Sequence, residues 1–341
     1  MSHIVGNAAQ EYVHANVDSA SQRIPRPFVN VACEFCGSSE SQFVTGPLTD
    51  DELADSLPPA FRSLTFRFVC CTACGLVYMA NRVAFEDIDI YYPDDYMCFQ
   101  SYDDRGFIMK RLAQTVARRK LQQIKALMPS TSNVLLDYGC GSGTWLALLK
   151  DIGCPFRMIG TDVVASPLNE LRSIGIEAHH CDETTLLEHV RPGSAGVVHM
   201  FHVIEHLPNV TRVLRVIREV LAPGGVLIGQ TPNVSSFGRR FWGDLWNQWH
   251  SPQHLVLFSD KTLRRHAESA GFETVNISSS ISGATQWANS ALRWWARGRR
   301  PFHGIREPMY PPLILAAVPI AVLESLFWRT CHMDFVFRKP A

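Results

Sequence analysis

Three groups of residues in this 341-residue chain combine types and spacings that suit chemistry. The first is Cys33-Glu-Phe-Cys36-Gly37 with Cys71-Thr-Ala-Cys74-Gly75, two copies of C-x-x-C-G whose cysteine pairs have 34 residues between them. A two-residue spacer lets one tight turn present two sulfurs to one ion, and two such turns complete the tetrahedral thiolate set that zinc takes. The glycine after each second cysteine suits a left-handed turn and leaves backbone N–H groups to donate to thiolate. A set filled by four protein ligands is structural, with no open position for a reaction. Unpaired core cysteines and a redox pair are the competing readings. Cys70 is expected to be buried and inert, while Cys98, Cys140, Cys154, Cys181 and Cys331 follow no ligand spacing and read as packing residues.

The second group is Asp137-Tyr138-Gly139-Cys140-Gly141-Ser142-Gly143-Thr144, which follows the apolar run Val134-Leu135-Leu136 and reads as strand, glycine loop, helix. Such loops let the backbone turn sharply and approach a ligand at the strand ends of an open α/β sheet. A dinucleotide fingerprint would put its third glycine at position 144, but that residue is Thr144 and the third glycine is Gly143. Asp137, two positions before the first glycine, would repel a pyrophosphate and attract a cationic, amino-bearing ligand. Asp162 ends the next apolar run, 19 residues after Gly143, where a carboxylate can accept both hydroxyls of a ribose. Together they imply a nucleoside carrying positive charge. Taken singly, each residue is equally well a turn glycine or a capping aspartate.

The third group is His202-Val-Ile-Glu205-His206, with His254 further on in Pro252-Gln-His254. Histidine suits general-base work because its unperturbed pKa, about 6.5, lies near working pH. His206 is the first candidate, Glu205 its orienter, and His254 a second candidate on the acceptor side. A structural or loop-capping role for the Glu-His pair is the competing reading. Metal ligation by His202, Glu205 and His206 would suit a helix, whereas they follow a strand.

These residues need elements to hold them. Apolar runs at 133–139, 156–162, 195–202 and 225–233 alternate with helical patterns, which implies right-handed βαβ units and a mainly parallel sheet. Ile108, Leu112, Val116, Leu121, Ile124 and Leu127 predict a helix over 107–127. Val210, Val213, Leu214, Ile217, Val220 and Leu221 predict another, ended by Gly224 and Gly225. The chain divides into a loose arm (1–30), a zinc-binding module (31–80), a linker and helical cover (81–130), and a large α/β domain (131–341) with an insertion at 284–330.

Composition narrows the function. With 46% hydrophobic residues the chain can bury a core, and 32 basic against 32 acidic residues argue against a nucleic-acid binder. No secretory signal is visible at the start, so a reducing, cytoplasmic setting is expected. Residues 309–328 (MYPPLILAAVPIAVLESLFW) carry a single charge, Glu324, and follow a segment with Trp294, Trp295, Arg293, Arg297, Arg299 and Arg300. Tryptophan beside arginine suits a membrane interface. Pro311, Pro312, Pro319 and Glu324 argue against a spanning helix. Peripheral contact of 286–328 with the inner face of a membrane or a lipid-linked substrate is therefore expected, against internal packing or an oligomer contact.

D-x-G-x-G-x-G at 137–143, Asp162, VIEHL at 203–207 and LAPGG…QTPN at 221–233 resemble the class I S-adenosylmethionine-dependent methyltransferases. The N-terminal C-x-x-C-G pair, CGLVY at 74–78, Tyr92 and Tyr96, PNVSS at 232–236 and SPQHLVLFS at 251–259 resemble the subgroup associated with cell-surface polysaccharide and sugar modification. The resemblance covers residues 31–283 and 332–340. It implies a Rossmann-like seven-stranded fold with a zinc-ribbon-like N-terminal module and a C-terminal helical insertion. It also implies S-adenosylmethionine as cofactor and a sugar or glycan acceptor. Asp137, Gly139, Gly141 and Gly143 would contact the methionine part of the cofactor, Asp162 the ribose and Asp182 the adenine. Tyr92 and Tyr96 read equally as a roof over the cofactor pocket or as plain packing residues. Gly196 departs from the pattern, which has an aspartate at the start of its fourth strand. A methyltransferase for small phenolic or polyketide-like molecules, and a non-catalytic zinc- and nucleoside-binding scaffold, are the alternative functions.

Overall fold

A computed structural model describes residues 24–50, 52–53, 56–92, 107–280, 282–297, 307–327 and 329–341. Tyr96, Cys98, Arg299, Arg300 and most of the N-terminal arm lie outside the described residues.

In chain order the N-terminal part holds β1 (Val29–Asn30), β2 (Ser41–Leu48), α1 (Pro59–Arg62), β3 (Phe66–Cys71), β4 (Val77–Met79) and β5 (Asn81–Arg82). The large domain follows with α2 (Phe107–Leu127), β6 (Val134–Tyr138), α3 (Thr144–Asp151), β7 (Arg157–Asp162), α4 (Leu168–Ser173), β8 (Glu177–His180), α5 (Leu186–His189) and β9 (Ala195–Phe201). It continues through α6 (Val210–Val220), β10 (Leu221–Pro232), α7 (Phe237–Trp242), β11 (Val256–Leu257), α8 (Asp260–Ser269) and β12 (Glu273–Ser280). The chain ends with α9 (Gly283–Ala296), α10 (Tyr310–Leu326) and β13 (His332–Arg338).

The central sheet has seven strands in the order β12-β13-β10-β9-β6-β7-β8. Strands β6 to β10 run parallel, and β13 is antiparallel to both of its neighbours. Successive connections leave β6 in opposite directions along the sheet, toward β7 and later toward β9. The carboxyl end of β6 is therefore the topological switch point, where neighbouring loops part and a crevice opens. This is the seven-stranded architecture of class I methyltransferases.

Burial follows the apolar spacing. Helix α6 buries Val210, Val213, Leu214, Ile217 and Val220 on one face, each worth about 1.5–3 kcal/mol against exposure. Leu221, expected on that face, instead begins β10 opposite Ala195, and Gly224 and Gly225 sit in an irregularity of that strand. A strand partner waiting at Ala195 ends the helix before its glycines are reached. Helix α2 spans the expected residues, but Val116 is 50% exposed and Ala117, Leu121 and Ile124 make the contact. A small residue lets α2 approach α3 closely, and apolar periodicity alone does not register it.

The N-terminal strands do not close on themselves. Their sheet runs β11-β4-β3-β2, so its edge strand comes from the large domain. Cys33, Cys71, Cys74, Leu76 and Tyr78 share one buried cluster with Val198, Leu214 and Phe258. Gly196 has its own explanation. A side chain there would meet Met128 Sδ at 2.3 Å, and Ser132 makes the local polar anchor by donating to the Ser194 carbonyl at 2.6 Å.

Candidate active site

The glycine loop sits at the switch point, between the ends of β6 and β7. Gly139 and Gly143 have φ of +74° and +71°, and a Cβ would strike Val203 at 2.5 Å and Leu171 at 2.1 Å respectively. Only glycine fits both the backbone and the space. The loop's amides are already engaged. Gly139 and Cys140 donate to the Thr161 carbonyl at 2.8 and 2.9 Å, Gly141 donates to Asp162 Oδ2 at 2.8 Å, and Gly143 donates to the Cys140 carbonyl at 2.9 Å. A phosphate cradle needs free N–H groups aimed at the ligand, and these four are taken.

Acidic groups gather instead. Asp162 accepts from Gly141 and, through Oδ1, from Val164 at 2.9 Å. Burial pushes its pKa up against those two donors. Asp182 Oδ1 accepts from both the amide and the hydroxyl of Thr184, at 2.8 and 2.6 Å, which folds the turn after β8. Asp162, Asp182 and Glu183 all bear on Tyr138, whose phenol burial and these charges keep protonated. The crevice therefore presents negative charge to a ligand, as the sequence implies. Asp137 is held differently. His199, opposite it on β9, meets its Oδ1 at 2.6 Å, and the ring stacks 4.1 Å from Phe201 and 5.3 Å from Trp145. Lys120, from α2, places its ammonium 3.7 Å from the centre of the Phe201 ring. Neither His199 nor Lys120 belongs to a motif, so only the strand register and the helix docking disclose them.

The histidines lie past the ends of β9 and β10. His202 has a φ of +54° that turns the chain into the site. Its Nδ1 faces Glu205 Oε1 at 3.2 Å and its Nε2 faces Gln230 Oε1 at 3.0 Å. Glu205 is fully buried and also accepts from Thr231 Oγ1 at 2.9 Å. Burial presses Glu205 toward protonation, but the hydrogen bond and charge of His202, with the charge of His206, outweigh it and hold its pKa below the usual value.

His206 Nδ1 lies 3.0 Å from the Gln253 carbonyl and 3.2 Å from the Tyr92 hydroxyl. A carbonyl can only accept, so Nδ1 carries the proton and Nε2 keeps a lone pair. Burial lowers the His206 pKa to about 4, with Glu205 pulling the other way. His254 is arranged alike. Its Nδ1 donates to the Gln248 carbonyl at 2.8 Å, its Nε2 stands 4.0 Å from Glu205 Oε1, and burial with nearby His206 holds its pKa well below the usual value. Ligand-type atoms of Glu205, His206 and His254 lie within 4.8 Å of one another. Tyr92 packs beside His206, its ring 6.4 Å from the imidazole. His332 completes this wall, with its ring 4.8 Å from that of His202 and its Nε2 3.2 Å from Gln248 Oε1.

The four paired cysteines converge. Cys33 and Cys74 sulfurs are 3.4 Å apart, Cys36 and Cys71 sulfurs 3.5 Å, and all four lie within 4.8 Å. These separations are too long for disulfides and close to the edge of a tetrahedron with metal–sulfur bonds of about 2.3 Å. Gly37 and Gly75 take φ of +74° and +79°, closing the two turns as their position after the second cysteine implies. Cys70 stands outside the cluster, and Cys140, Cys154, Cys181 and Cys331 are partly or wholly buried as free thiols.

Comparison with known proteins agrees with the topology. A family model described as a methyltransferase domain matches residues 109–277. A ubiquinone biosynthesis O-methyltransferase of Cereibacter sphaeroides is 28% identical over 147 residues, 40% of this chain and 56% of that protein. A probable S-adenosylmethionine-dependent methyltransferase of Mycolicibacterium smegmatis is 29% identical over 154 residues, 44% of this chain and 56% of that protein. The chain spans about half the length of the curated relatives it matches. A solved S-adenosylmethionine-dependent methyltransferase from Archaeoglobus fulgidus superimposes with a TM-score of 0.44 at 17% identity, over 66% of this chain and 94% of that one. Residues 109–277 thus match a methyltransferase-domain model, and the order and direction of the seven strands fit the class I methyltransferase fold.

Proposed function

We propose that the protein transfers a methyl group from S-adenosylmethionine to a hydroxyl of a sugar-containing acceptor. The observation that carries the cofactor assignment is the glycine loop itself: its amides are taken and its rim is acidic, so it suits a cationic nucleoside and not a phosphate. Asp162 would hold the ribose through its remaining lone pairs, Asp182 would border the adenine, and Asp137 with Gly139, Gly141 and Gly143 would line the methionine part. The cofactor supplies an activated methyl group on a sulfonium. The chain's own contribution is alignment, exclusion of water and removal of the acceptor proton.

His206 is suited to that last task. The Gln253 carbonyl fixes its tautomer, so the acceptor hydroxyl gives its proton to Nε2 as the new oxygen–carbon bond forms. Glu205, ionised beside it, stabilises the imidazolium. A base of low pKa is neutral and ready throughout the physiological range, although it takes the proton with less driving force than one near pH 7. His254 shares Glu205 and borders the same space. Polar side chains, His202, Gln230, Gln248 and His332, line this wall, which supports an acceptor rich in hydroxyls. A phenolic acceptor is the second reading, favoured by the ubiquinone-pathway names of the curated relatives. A non-catalytic scaffold would bind the cofactor and turn nothing over.

Cys33, Cys36, Cys71 and Cys74 would hold a structural zinc ion, binding the sheet of β2, β3 and β4 to the large domain.

The test is release of S-adenosylhomocysteine by purified protein, with lipid-linked glycans and catechols offered in parallel and products weighed by mass spectrometry. Methylated glycan is expected. Turnover of catechols alone would transfer the assignment to the phenolic reading, and none with either would leave the scaffold.

A further inference from the structure

Helix α10 is apolar on every face, and a helix of that kind is normally covered all round. Among the described residues, the contacts cover one side of it. Ala317 and Ala321 pack against Ala284 of α9, and Leu313 packs near Leu292 and Ala296. Leu315 and Leu326 are left 74% and 70% exposed, joined by Val318, Ile320, Val322, Leu323 and Phe327. Glu324, the one charged residue of α10, is turned inward. Its Oε1 accepts from the Gly238 amide at 2.9 Å and its Oε2 from the Trp287 indole at 3.0 Å. The outward surface of the helix thus carries no charge at all.

Two neighbouring depressions extend this surface. A largely apolar groove of about 610 Å³ runs between α7, α9 and α10, lined by Phe237, Phe241, Trp287, Ile320, Leu323 and Phe327, with Arg240 and the inward-turned Glu324 also on its wall. Phe241, on its rim, is 70% exposed. A second cavity of about 580 Å³ shares Phe327 with it and is lined by Lys261, Arg264 and Arg329, three cations against the single carboxylate Asp260. Arg329 reaches over the Phe237 ring at 5.5 Å, so cation and apolar groove adjoin. An uncharged apolar ridge beside a cationic recess matches the two layers of a lipid interface, acyl chains and phosphate.

We propose that this face docks on a bilayer containing anionic lipid. Helix α10 lies in the interface with Leu315, Leu323 and Leu326 among the acyl chains, and lipid phosphates meet Lys261, Arg264 and Arg329. Among the described residues no helix is long and apolar enough to cross a membrane, so the contact is one of surface. The docked insertion reaches the acceptor wall: Gln286 of α9 accepts from Asn247 at 3.1 Å and also from Gln248, the residue facing His332. An acceptor anchored in the same leaflet would arrive beside His202 and His206. Docking itself does not depend on methyl transfer.

The test is co-sedimentation of the full chain with vesicles of phosphatidylcholine alone and of phosphatidylcholine and phosphatidylglycerol in equal parts. Binding is expected to the anionic vesicles and to be weaker on the neutral ones. Leu323→Asp with Leu326→Asp should lower the partition coefficient by about tenfold or more with an unchanged melting temperature, since both positions are exposed. Lys261→Glu with Arg264→Glu should abolish the preference for phosphatidylglycerol. Wild-type protein left in the supernatant, or binding untouched by the leucine substitutions, would overturn the proposal. So would a dimer in light scattering that Leu326→Asp dissociates, since a second copy would then cover the face. A phosphatidylglycerol preference that survives the Lys261 and Arg264 changes would remove the phosphate assignment.

Discussion

The two sides of the crevice are built by different means. The proposed cofactor side is local: Asp137, the glycine loop and Asp162 fall within 26 residues of chain, and their hydrogen bonds run mostly among themselves. The proposed acceptor side is assembled from Tyr92, His202 to His206, Gln248 to His254 and His332, which are remote in sequence. A local site inherits its geometry from one strand–turn–helix unit. An assembled site inherits it from the docking of several elements, so distant changes should reach the acceptor side and spare the other.

The N-terminal cysteines test this most severely. The amide of Met79 in β4 donates to the Leu255 carbonyl at 2.9 Å, and the Leu255 amide donates to the Glu205 carbonyl at 2.8 Å. A continuous backbone path thus joins the cysteine sheet to His254 and Glu205. If the proposed zinc is bound, Cys71→Ser or treatment with a chelator should lower the melting temperature by about 10 °C or more. Turnover should fall with it, while below the transition the cofactor affinity by calorimetry stays within about threefold of wild type. Equal losses of both would erase the distinction between the two sides.

Asp162→Ala should act the opposite way. It removes the expected ribose contact and the acceptor of the Gly141 amide, so the cofactor dissociation constant should rise by about a hundredfold, with little change in KM for the acceptor. His206→Ala comes next. It should reduce kcat by at least about tenfold and leave cofactor affinity near wild type. Unchanged turnover would remove His206 as the base and pass the role to His254.

The same contrast explains what could be read from the sequence. The parallel strands and the glycine loop were legible because each depends on a short run of residues with a steric or periodic requirement, as Gly143 against Leu171 shows. The convergence of the cysteine pairs was legible because a two-residue spacer lets each tight turn present two sulfurs on one side. His199 was not, because its partner Asp137 is set by the register of β9 against β6. The contact of Tyr92 with His206 was not legible either, since no local pattern says where a linker lands. The end of α6 was misplaced because the pairing of Leu221 with Ala195, a tertiary contact, outweighs the terminating glycines. Glu324 reads as an argument against a spanning helix, and among the described residues no helix is long and apolar enough to cross a membrane. Its inward turn toward Gly238 and Trp287, which leaves the outer face of α10 uncharged, shows only in the packing of α7 and α9.

The smallest expected effect is on stability in mild acid. His254 and His332 are buried and His206 half-buried, and their pKa values are pushed below the usual one, His206 to about 4. A histidine whose folded pKa lies below its unfolded value takes its proton first in the unfolded chain, so acid favours unfolding. Its stabilisation is fully present above about pH 6.5 and is lost as the pH falls toward the folded value. For His206 alone the loss reaches about 1.4 kcal/mol by pH 5.5. The cofactor side behaves differently over this range. Asp182, whose pKa is lowered, loses its contribution only as the pH falls through the carboxylate range near 4. Asp162, whose pKa is raised, is relieved rather than strained by acid. Urea unfolding between pH 7 and 5 should therefore show stability falling with a slope of several protons, and His206→Gln should flatten that slope by about one proton. Hydrogen exchange at pH 5.5 should show residues 202–207 and 248–255 opening before the glycine loop. Equal protection in both regions would mean that the two sides share one cooperative unit despite their different construction.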